Sequence, residues 1–354
     1  MSRRYEVMIS GEGLVGGGLR TVRTRGLEPD YLVKEQSGNR SVSERYMVRK
    51  NDQGVNAYAL GTDLQMLIWP PKGDAPFYTQ VGSLDDPYLL ESGLNPSGLN
   101  IRRGQVAQLG NRLVISTWVQ RTISAGGDSQ DFSRPFVDLF RMTPDGVIGE
   151  KRWGGKVGVG PVMSLAIGDK VYVATLYGGI FVLDAKTLEQ EAQVPVQTYP
   201  IVVLGDIMAG LSPSWQKDGD LRLFQLNAER VPMKVGDFPL TGYYHALTLA
   251  SIDGKMLALL SSVWGAPMLV VDVTDLSNPQ EIKMKQWPSG WDRVTSVAAP
   301  PSSDDGLPIV FVNTQDKGLR VLALSALAKG EVVDLSPPGK IVTCLLYTSP
   351  SPRD

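Results

Sequence analysis

The chain has 354 residues, of which 42% are hydrophobic and 20% are charged; this composition is typical of globular proteins and excludes an intrinsically disordered one. Its 35 basic and 37 acidic residues give a net charge of −2, so we expect no nucleic-acid partner, which would need a concentrated basic surface. No apolar run approaches the roughly 20 residues that span a bilayer, so we predict no membrane span.

Residues 1–54 are the least regular part of the chain. Residues 4–10 alternate as a strand does, and residues 11–16, GEGLVG, formally match the GxGxxG pattern of dinucleotide-binding sites. Such a site needs a helix directly after the glycines, which holds the pyrophosphate at its N-terminus. Residues 19–26 have the pattern of a strand instead. We therefore interpret the match as a glycine-rich turn and expect no cofactor.

From residue 106 to residue 333 the chain repeats itself roughly every 45 residues. The middle of one strand in each repeat is marked by Leu139, Val182, Leu223, Val270 and Val321. These markers lie 41 to 51 residues apart, close to the length of a four-stranded propeller blade. A degraded earlier copy covers residues 55–81, with predicted strands at 57–60 and 65–69.

Three further strands can be aligned in each repeat. First strands are predicted at 105–109, 161–165, 200–204, 245–249 and 293–297. Second strands are predicted at 113–117, 171–175, 206–211, 256–261 and 309–313. The markers belong to the third strands, and short fourth strands are predicted at 147–152, 191–195, 231–235, 280–284 and 331–334. Residues 325–329 are expected to form one turn of helix, and no longer amphipathic helix is predicted.

The fold follows from the repeat. A single copy cannot bury both faces of its small sheet, so copies must stack. We therefore predict an all-β fold, a β-propeller of four-stranded blades that forms a single domain over residues 1–343. Seven blades are expected in the intact protein, about six of them represented here, with an incomplete blade at the C-terminal end.

Two stretches resemble known propeller repeats. Residues 268–282, MLVVDVTDLSNPQEI, resemble the LVIVD repeat of bacterial and archaeal propeller proteins, and residues 318–325 form a second copy. Residues 170–187 are similar to blades of the pyrroloquinoline-quinone-dehydrogenase superfamily, although Leu188 stands where those blades usually have glycine. Both resemblances imply a propeller and leave its chemistry open, because LVIVD proteins share no established activity.

The last eleven residues form a separate case. Residues 344–354, CLLYTSPSPRD, resemble the translation of a sequencing adapter, so we expect a non-native tail that contributes nothing ordered to the core. The tail holds the only cysteine, Cys344, and the native part would then lack cysteine. The start of the chain has no apolar signal core. A cysteine-free chain favours an extracytoplasmic protein, secreted or in the cell envelope, but it also suits a cytoplasmic one.

The sequence offers few metal ligands. His245 is the only histidine, which excludes the usual His/Cys zinc site. Residues 128–131, DSQD, and residues 304–306, DDG, have oxygen ligands for calcium but are also typical of solvated turns. A Ser-His-Asp triad around His245 stays formally open, yet no GxSxG motif accompanies it. We predict no metal and no catalytic residue.

The predicted binding residues lie in two sets of loops, which meet at the same end of each blade in a propeller. Loops before the first strands hold Arg103, Tyr244, His245, Trp291 and Arg293. Loops between second and third strands hold Trp118, Tyr177, Trp215 and Trp264. Aromatic rings and arginines are typical of binding surfaces, and the two arginines suit an anionic or carboxylate-bearing ligand. The alternative is that the tryptophans wedge between neighbouring blades.

Two functions are compatible with this pattern. The first is a non-catalytic binding module that takes a protein, peptide or glycan ligand on the aromatic face around the channel. The second is a propeller enzyme of quinoprotein-dehydrogenase or lyase/hydrolase type, acting at the mouth of the channel. The sequence has no histidine cluster and no repeated quinone-docking residues, which favours the binding module.

Overall fold

The computed structural model describes part of the chain. The described residues are 4–8, 21–25, 45–51, 54–60, 65–69, 77–80, 99–109, 112–125, 128–143, 146–156, 158–213, 218–262, 267–287, 294–299, 308–314 and 318–335. Within this part no helix is long and apolar enough to cross a membrane. The C-terminal tail, residues 344–354, lies outside the described residues, and its predicted lack of order stays a prediction.

The first two strands form an antiparallel pair. Strand β1 (Arg4–Met8) pairs with β2 (Thr21–Arg25), and Val7 lies opposite Val22. The strand predicted for residues 19–26 is therefore confirmed. Residues 11–16 lie outside the described residues. Because the next described element returns as an antiparallel strand, these two strands do not form the parallel βαβ unit that a dinucleotide site requires.

Four antiparallel sheets follow, each with its strands in chain order. The first contains β3 (Arg45–Asn51), β4 (Gly54–Leu60), β5 (Gln65–Trp69) and β6 (Phe77–Gln80). The second contains β7 (Leu99–Leu109), β8 (Arg112–Ala125), β9 (Asp128–Thr143) and β10 (Gly146–Gly154). The third contains β11 (Val162–Ile167), β12 (Lys170–Thr175), β13 (Gly179–Asp184) and β14 (Gln190–Val194). The fourth contains β15 (Ile201–Leu204), β16 (Ile207–Leu211), β17 (Asp218–Leu226) and β18 (Pro232–Thr241).

Two more sheets complete the described chain. One contains β19 (Ala246–Ile252), β20 (Lys255–Ser261), β21 (Leu269–Asp272) and β22 (Gln280–Glu281). The other has three strands, β23 (Val294–Ala298), β24 (Ile309–Thr314) and β25 (Gly318–Ala323), followed by helix α1 (Leu324–Leu327). The fourth strand predicted at 331–334 is reduced to a single bridge between Leu322 and Asp334. The predicted helical turn at 325–329 is confirmed to within a residue or two.

The chain divides into two compact units. Unit 1 comprises Met1–Asn39, Tyr243–Thr274 and Gln280–Asp354, and unit 2 comprises Arg40–Gly242 and Asp275–Pro279. The second, third and fourth sheets belong to unit 2, and the sheets that contain β19 and β23 belong to unit 1. The prediction of a single domain over residues 1–343 is not tested by this division.

The third sheet packs on the second and fourth sheets through alternate side chains. Val171 and Val173 on β12 face Val137 and Leu139 of the second sheet, in one buried cluster. Tyr172 and Ala174, one residue out of phase, face the fourth sheet in another cluster, which also contains Met208 and Phe224. Since both faces of β12 are covered, its sequence KVYVAT is an almost continuous apolar run. In unit 1, Leu257, Leu259 and Val270 pack against Val310 and Val312 in the same way.

The fourth strands of the second, third and fourth sheets each take part in a β-bulge. The extra residue is Glu150 in β10, Glu191 in β14 and Val235 in β18. Glu150 forms an ion pair with Arg112 at 2.7 Å, and Glu191 forms one with Lys170 at 2.6 Å. Such partly exposed pairs contribute about 1 kcal/mol or less each, so they fix the outer edges of these two sheets more than they stabilise the fold.

Asp184 closes the turn after β13. Its carboxylate accepts hydrogen bonds from the backbone N–H groups of Thr187 and Lys186, both at 2.8 Å, and from the Thr187 hydroxyl at 3.1 Å. These bonds, with a smaller contribution from Lys170, lower the pKa of Asp184. The Asp272 carboxylate likewise accepts hydrogen bonds from the N–H and the hydroxyl of Thr274. Partial burial opposes ionisation of Asp272, but these bonds and Lys255 lower its pKa.

The lowered pKa values predict acid sensitivity. A carboxylate whose pKa is lower in the folded state stabilises the fold fully at pH values above its unfolded-state pKa of about 3.9. It loses that contribution as the pH falls through its folded-state pKa. The substitution Asp184→Asn should therefore cost at most about 1 kcal/mol at pH 7, because the site is exposed, and less at pH 3. Urea unfolding at both pH values measures the difference, with Asp253→Asn as the control for a lost charge. An equal loss at both pH values would contradict the assignment.

Candidate functional site

In three sheets, the segment that leads into the first strand lies beside the end of the second strand. In the third sheet, the N–H groups of Leu176 and Tyr177 donate to the carbonyls of Pro161 at 3.0 Å and Val159 at 2.9 Å. In the fourth, the Tyr199 N–H donates to Leu211 O at 2.8 Å. In the sheet that begins with β19, the His245 N–H donates to Ser261 O at 3.1 Å. In these three sheets the two segments therefore lie side by side, and their role as a binding surface stays a prediction.

We call these paired segments the loop edge of each sheet. The loop edges contain residues 159–161 with 176–178, residues 197–200 with 211–212, and residues 243–245 with 261–262. The first two belong to unit 2 and the third belongs to unit 1.

Tyr177 is the most exposed large hydrophobic residue at a loop edge. Its side chain is 64% exposed, although its backbone is held firmly. Besides the bond to Val159, the N–H of Gly178 donates to the Thr175 hydroxyl at 3.0 Å. The ring lies against Gly160, where an added Cβ would come within 3.0 Å of the ring. The result is an aromatic ring presented to solvent on a rigid turn.

The loop edge of the fourth sheet is held by an arginine. Arg222 on β17 donates to the carbonyl of Gln197 and, at 3.4 Å, to the hydroxyl of Thr198, which is fully buried. This clamp was not predicted, because Arg222 is an ordinary polar position of an alternating strand in the sequence.

The loop edge in unit 1 contains two of the predicted binding residues. Tyr244 and His245 are half-buried, and Ser261 and Ser262 beside them are fully buried. Burial raises the pKa of the Tyr244 phenol, with a smaller contribution from Glu281. The phenol therefore stays protonated at neutral pH and can donate a hydrogen bond.

Two predicted positions need correction. Arg103 and Trp118 were expected in loops, but they lie inside strands β7 and β8, which extend well beyond the strands of the other sheets. Arg103 pairs with Thr117 and Arg102 pairs with Trp118. The proposed role of Arg103 and Trp118 in binding remains a prediction.

The other predicted binding residues, Trp215, Trp264, Trp291 and Arg293, lie outside the described residues. The convergence of all nine residues on one ligand therefore also remains a prediction.

One of the two calcium alternatives is wrong and the other is not tested. Residues 128–131 form the start of β9, where Asp128 pairs with Ala125 and Asp131 pairs with Thr122, so they are a strand and neither a calcium loop nor a solvated turn. Residues 304–306 lie outside the described residues. In the part of the chain that the structure describes, no three His, Cys, Asp or Glu side chains form a group that could hold a metal ion.

One position that shapes the loop edge was not predicted from the sequence. The last residue of the second strand is Thr175 in β12, Ser261 in β20 and Thr314 in β24, and all three are fully buried. The Thr175 hydroxyl accepts the Gly178 N–H and donates to Gly179 O at 3.3 Å, which shapes the turn that carries Tyr177. The sequence could have indicated this position, because a hydroxyl residue stands at the same end of three of the aligned second strands.

No protein-family model and no curated protein matches the chain. Solved structures do match. The WD40 domain of Toxoplasma gondii coronin has a TM-score of 0.55 at 9% identity, covering 89% of this chain and 77% of that one. The WD40 domain of Neurospora crassa Pan2 has a TM-score of 0.50 at 10% identity, covering 86% and 84%. A chain of the Mitotic Checkpoint Complex has a TM-score of 0.51 at 10% identity, covering 86% and 85%.

The fold is that of a β-propeller. The match to WD40 domains, with the four-stranded antiparallel sheets, confirms the predicted fold class. At these identities the similarity concerns the fold alone. The resemblance to LVIVD repeats, the number of blades in the intact protein and the origin of the tail stay predictions.

Proposed function

We propose that this chain is a non-catalytic β-propeller binding module, which takes a carboxylate-bearing peptide, protein segment or glycan at its loop edges. The observation that carries the proposal is the presentation of Tyr177. A flat aromatic ring that is already fixed by its backbone offers a large contact area and loses little conformational entropy when a ligand stacks on it.

Charge and hydrogen bonding support the same ligand chemistry. Each unit has an arginine of the predicted set that would attract a carboxylate, Arg103 in unit 2 and Arg293 in unit 1, because guanidinium groups bind carboxylates through paired, charge-assisted hydrogen bonds. Within unit 1, the protonated phenol of Tyr244 would offer a neutral donor, which suits either a carboxylate oxygen or a sugar hydroxyl.

Four carboxylates have shifted pKa values. Asp184, Asp272, Asp275 and Glu331 all have lowered pKa values, because turn hydrogen bonds or, for Glu331, Lys285 stabilise their ionised forms. A general acid needs the opposite shift, toward neutral pH. These four groups serve turns and ion pairs instead.

The substitution Tyr177→Ala tests the proposal. An array of acidic peptides and of glycans with carboxylate groups would identify a ligand, whose affinity is then measured by calorimetry. We expect Tyr177→Ala to weaken binding roughly tenfold, and Tyr177→Phe to change it by less than about threefold, since the ring does the stacking.

Met233→Ala is the matched control, because Met233 is 53% exposed but lies on the outer strand β18. Its affinity should equal that of the unmodified chain. The proposal fails if Tyr177→Ala, Trp291→Ala and Arg293→Ala all bind every identified ligand as tightly as the unmodified chain does.

A further inference from the structure

Arg134 on β9 has a guanidinium group that is fixed in place. Its Nε–H donates to the carbonyl of Gly155 at 2.8 Å, and its Cζ lies 5.1 Å from the centre of the Phe136 ring. The side chain is half-buried, and its Nη2 lies 2.9 Å from the position that a Cβ of Gly154 would occupy. Gly154 itself is exposed. The guanidinium therefore lies beside an exposed backbone position and would lose little conformational entropy when it binds a ligand.

Two arginines share the Phe136 ring, but their partners differ. The Cζ of Arg152 lies 5.5 Å from the centre of this ring, and its Nε donates to the Asp138 carboxylate at 2.5 Å. Among the residues that the structure describes, Arg134 forms no ion pair and has only the backbone carbonyl. Lys156, in the segment that follows β10, is exposed and also basic. A fixed guanidinium in basic surroundings attracts an anion, and its paired N–H groups suit a carboxylate.

The connection from β10 to β11 leads from Arg134 to Tyr177 within unit 2. Gly155 at its start accepts the bond from Arg134, and Val159 near its end accepts the Tyr177 N–H at 2.9 Å. Four residues of chain span at most about 14 Å, so Gly155 lies within about 20 Å of the Tyr177 backbone. An extended peptide of about six residues covers this distance.

We propose that Arg134 is a carboxylate-binding residue beside the loop edge of the third sheet. It binds an acidic side chain of a peptide, and an aromatic side chain of the same peptide stacks on Tyr177. The inference rests on the proposed function and names the spacing that the ligand needs. Residues 154–160, GGKVGVG, contain four glycines, which allow a second backbone to approach closely. This favours a peptide over a glycan.

The test uses the full chain, labelled with ¹⁵N, and the peptides acetyl-Trp-(Ala)n-Glu-amide with two to five alanines. Each has a partner that ends in glutamine, and affinities are measured by NMR titration. We expect the best glutamate peptide to bind about fivefold to tenfold more tightly than its glutamine partner. Arg134→Gln should abolish this preference and leave the affinity for the glutamine peptide unchanged. Arg134→Lys should keep part of the preference, because lysine retains the charge without the paired donors.

A second variant displaces the guanidinium and keeps its charge. Gly154→Ala places a Cβ 2.9 Å from Nη2, so it should also remove most of the preference for glutamate. Its matched control is Gly149→Ala on the same strand, where the nearest atom lies at an ordinary 3.7 Å. Arg141→Gln is the charge control, because Arg141 lies on β9 and is 52% exposed. Both controls should change the preference by less than about twofold.

Several results would overturn the inference. They are the absence of binding by every peptide, equal binding of the glutamate and glutamine peptides, and equal effects of Arg134→Gln and Arg141→Gln. Tighter binding of an oligogalacturonate than of any peptide, weakened by Arg134→Gln, would assign the site to a glycan instead. If Tyr177→Ala leaves all affinities unchanged while Arg134→Gln removes the preference, the stacking role of Tyr177 fails and the role of Arg134 stands.

Discussion

Replacing Gly179 by alanine is expected to lower the free energy of unfolding by about 3 kcal/mol or more. Gly179 has a φ of +80°, where a side chain is strained by roughly 1–2 kcal/mol. An added Cβ would also lie 2.2 Å from Val194 O and 2.9 Å from Val196 N. Both are backbone atoms of the neighbouring strand and its continuation, so they cannot rotate away. The outer strand β14 would have to separate from β13.

Gly158→Ala is the matched control for this prediction. Gly158 belongs to the same unit and has a φ of +89°, but nothing lies within 4 Å of its added Cβ. Gly158→Ala should lower the free energy of unfolding only by the cost of the backbone strain, about 1 kcal/mol. Urea denaturation of the two variants measures the difference, and similar losses would show that the close approach of Val194 does not matter. Since Gly179 ends the turn that carries Tyr177, Gly179→Ala should also weaken ligand binding.

Removal of the Arg152 side chain should be similarly destabilising, by about 3 kcal/mol. The Asp138 side chain is 5% exposed, and one of its oxygens lies 2.5 Å from Arg152 Nε. Arg152 also lies 5.5 Å from the centre of the Phe136 ring. The substitution Arg152→Ala would leave a carboxylate in a desolvated position without this ion pair, and that penalty exceeds the loss of the pair itself.

A double variant separates the two contributions. Asp138→Leu combined with Arg152→Met removes both charges and keeps the volume, so its stability should return to within about 1 kcal/mol of the unmodified chain. Arg141→Ala is the surface control, because the Arg141 side chain is 52% exposed and its pair with Glu150 should contribute less than about 1 kcal/mol. A loss of under about 1 kcal/mol for Arg152→Ala would show that Asp138 is not dependent on this arginine.

Most of the strand positions could be predicted from the sequence. The repeat of apolar markers located the third strands, and the second strands predicted at 171–175 and 256–261 match β12 and β20 to within one residue. The fourth strands were less accurate. The strand predicted at 231–235 extends to Thr241, and the one predicted at 280–284 ends at Glu281. Outer strands have a neighbour on one edge only, so their length depends on pairing and packing rather than on local pattern.

The length of strands β8 and β9 was the largest error of the sequence prediction, and it has a physical cause. Residues 128–133, DSQDFS, have turn-like composition, yet they form a strand because residues 120–125 of β8 lie opposite them in register. Such pairing is a contact between segments, which local propensity does not report. For the same reason Arg103 and Trp118 were predicted in loops, although they lie in strands β7 and β8.

The period of the apolar residues determined the fold class, because each short sheet must bury two faces and can do so only by stacking on copies of itself. Exposure at the candidate site depended on neighbours from other sheets. Tyr172 and Tyr177 lie in one hairpin, five residues apart. Tyr172 is fully buried and its hydroxyl donates to Arg230 O at 2.9 Å, whereas Tyr177 is 64% exposed. The fourth sheet covers Tyr172, whereas the ring of Tyr177 lies beside the small Gly160 and stays exposed, so packing between distant segments left one ring available to a ligand.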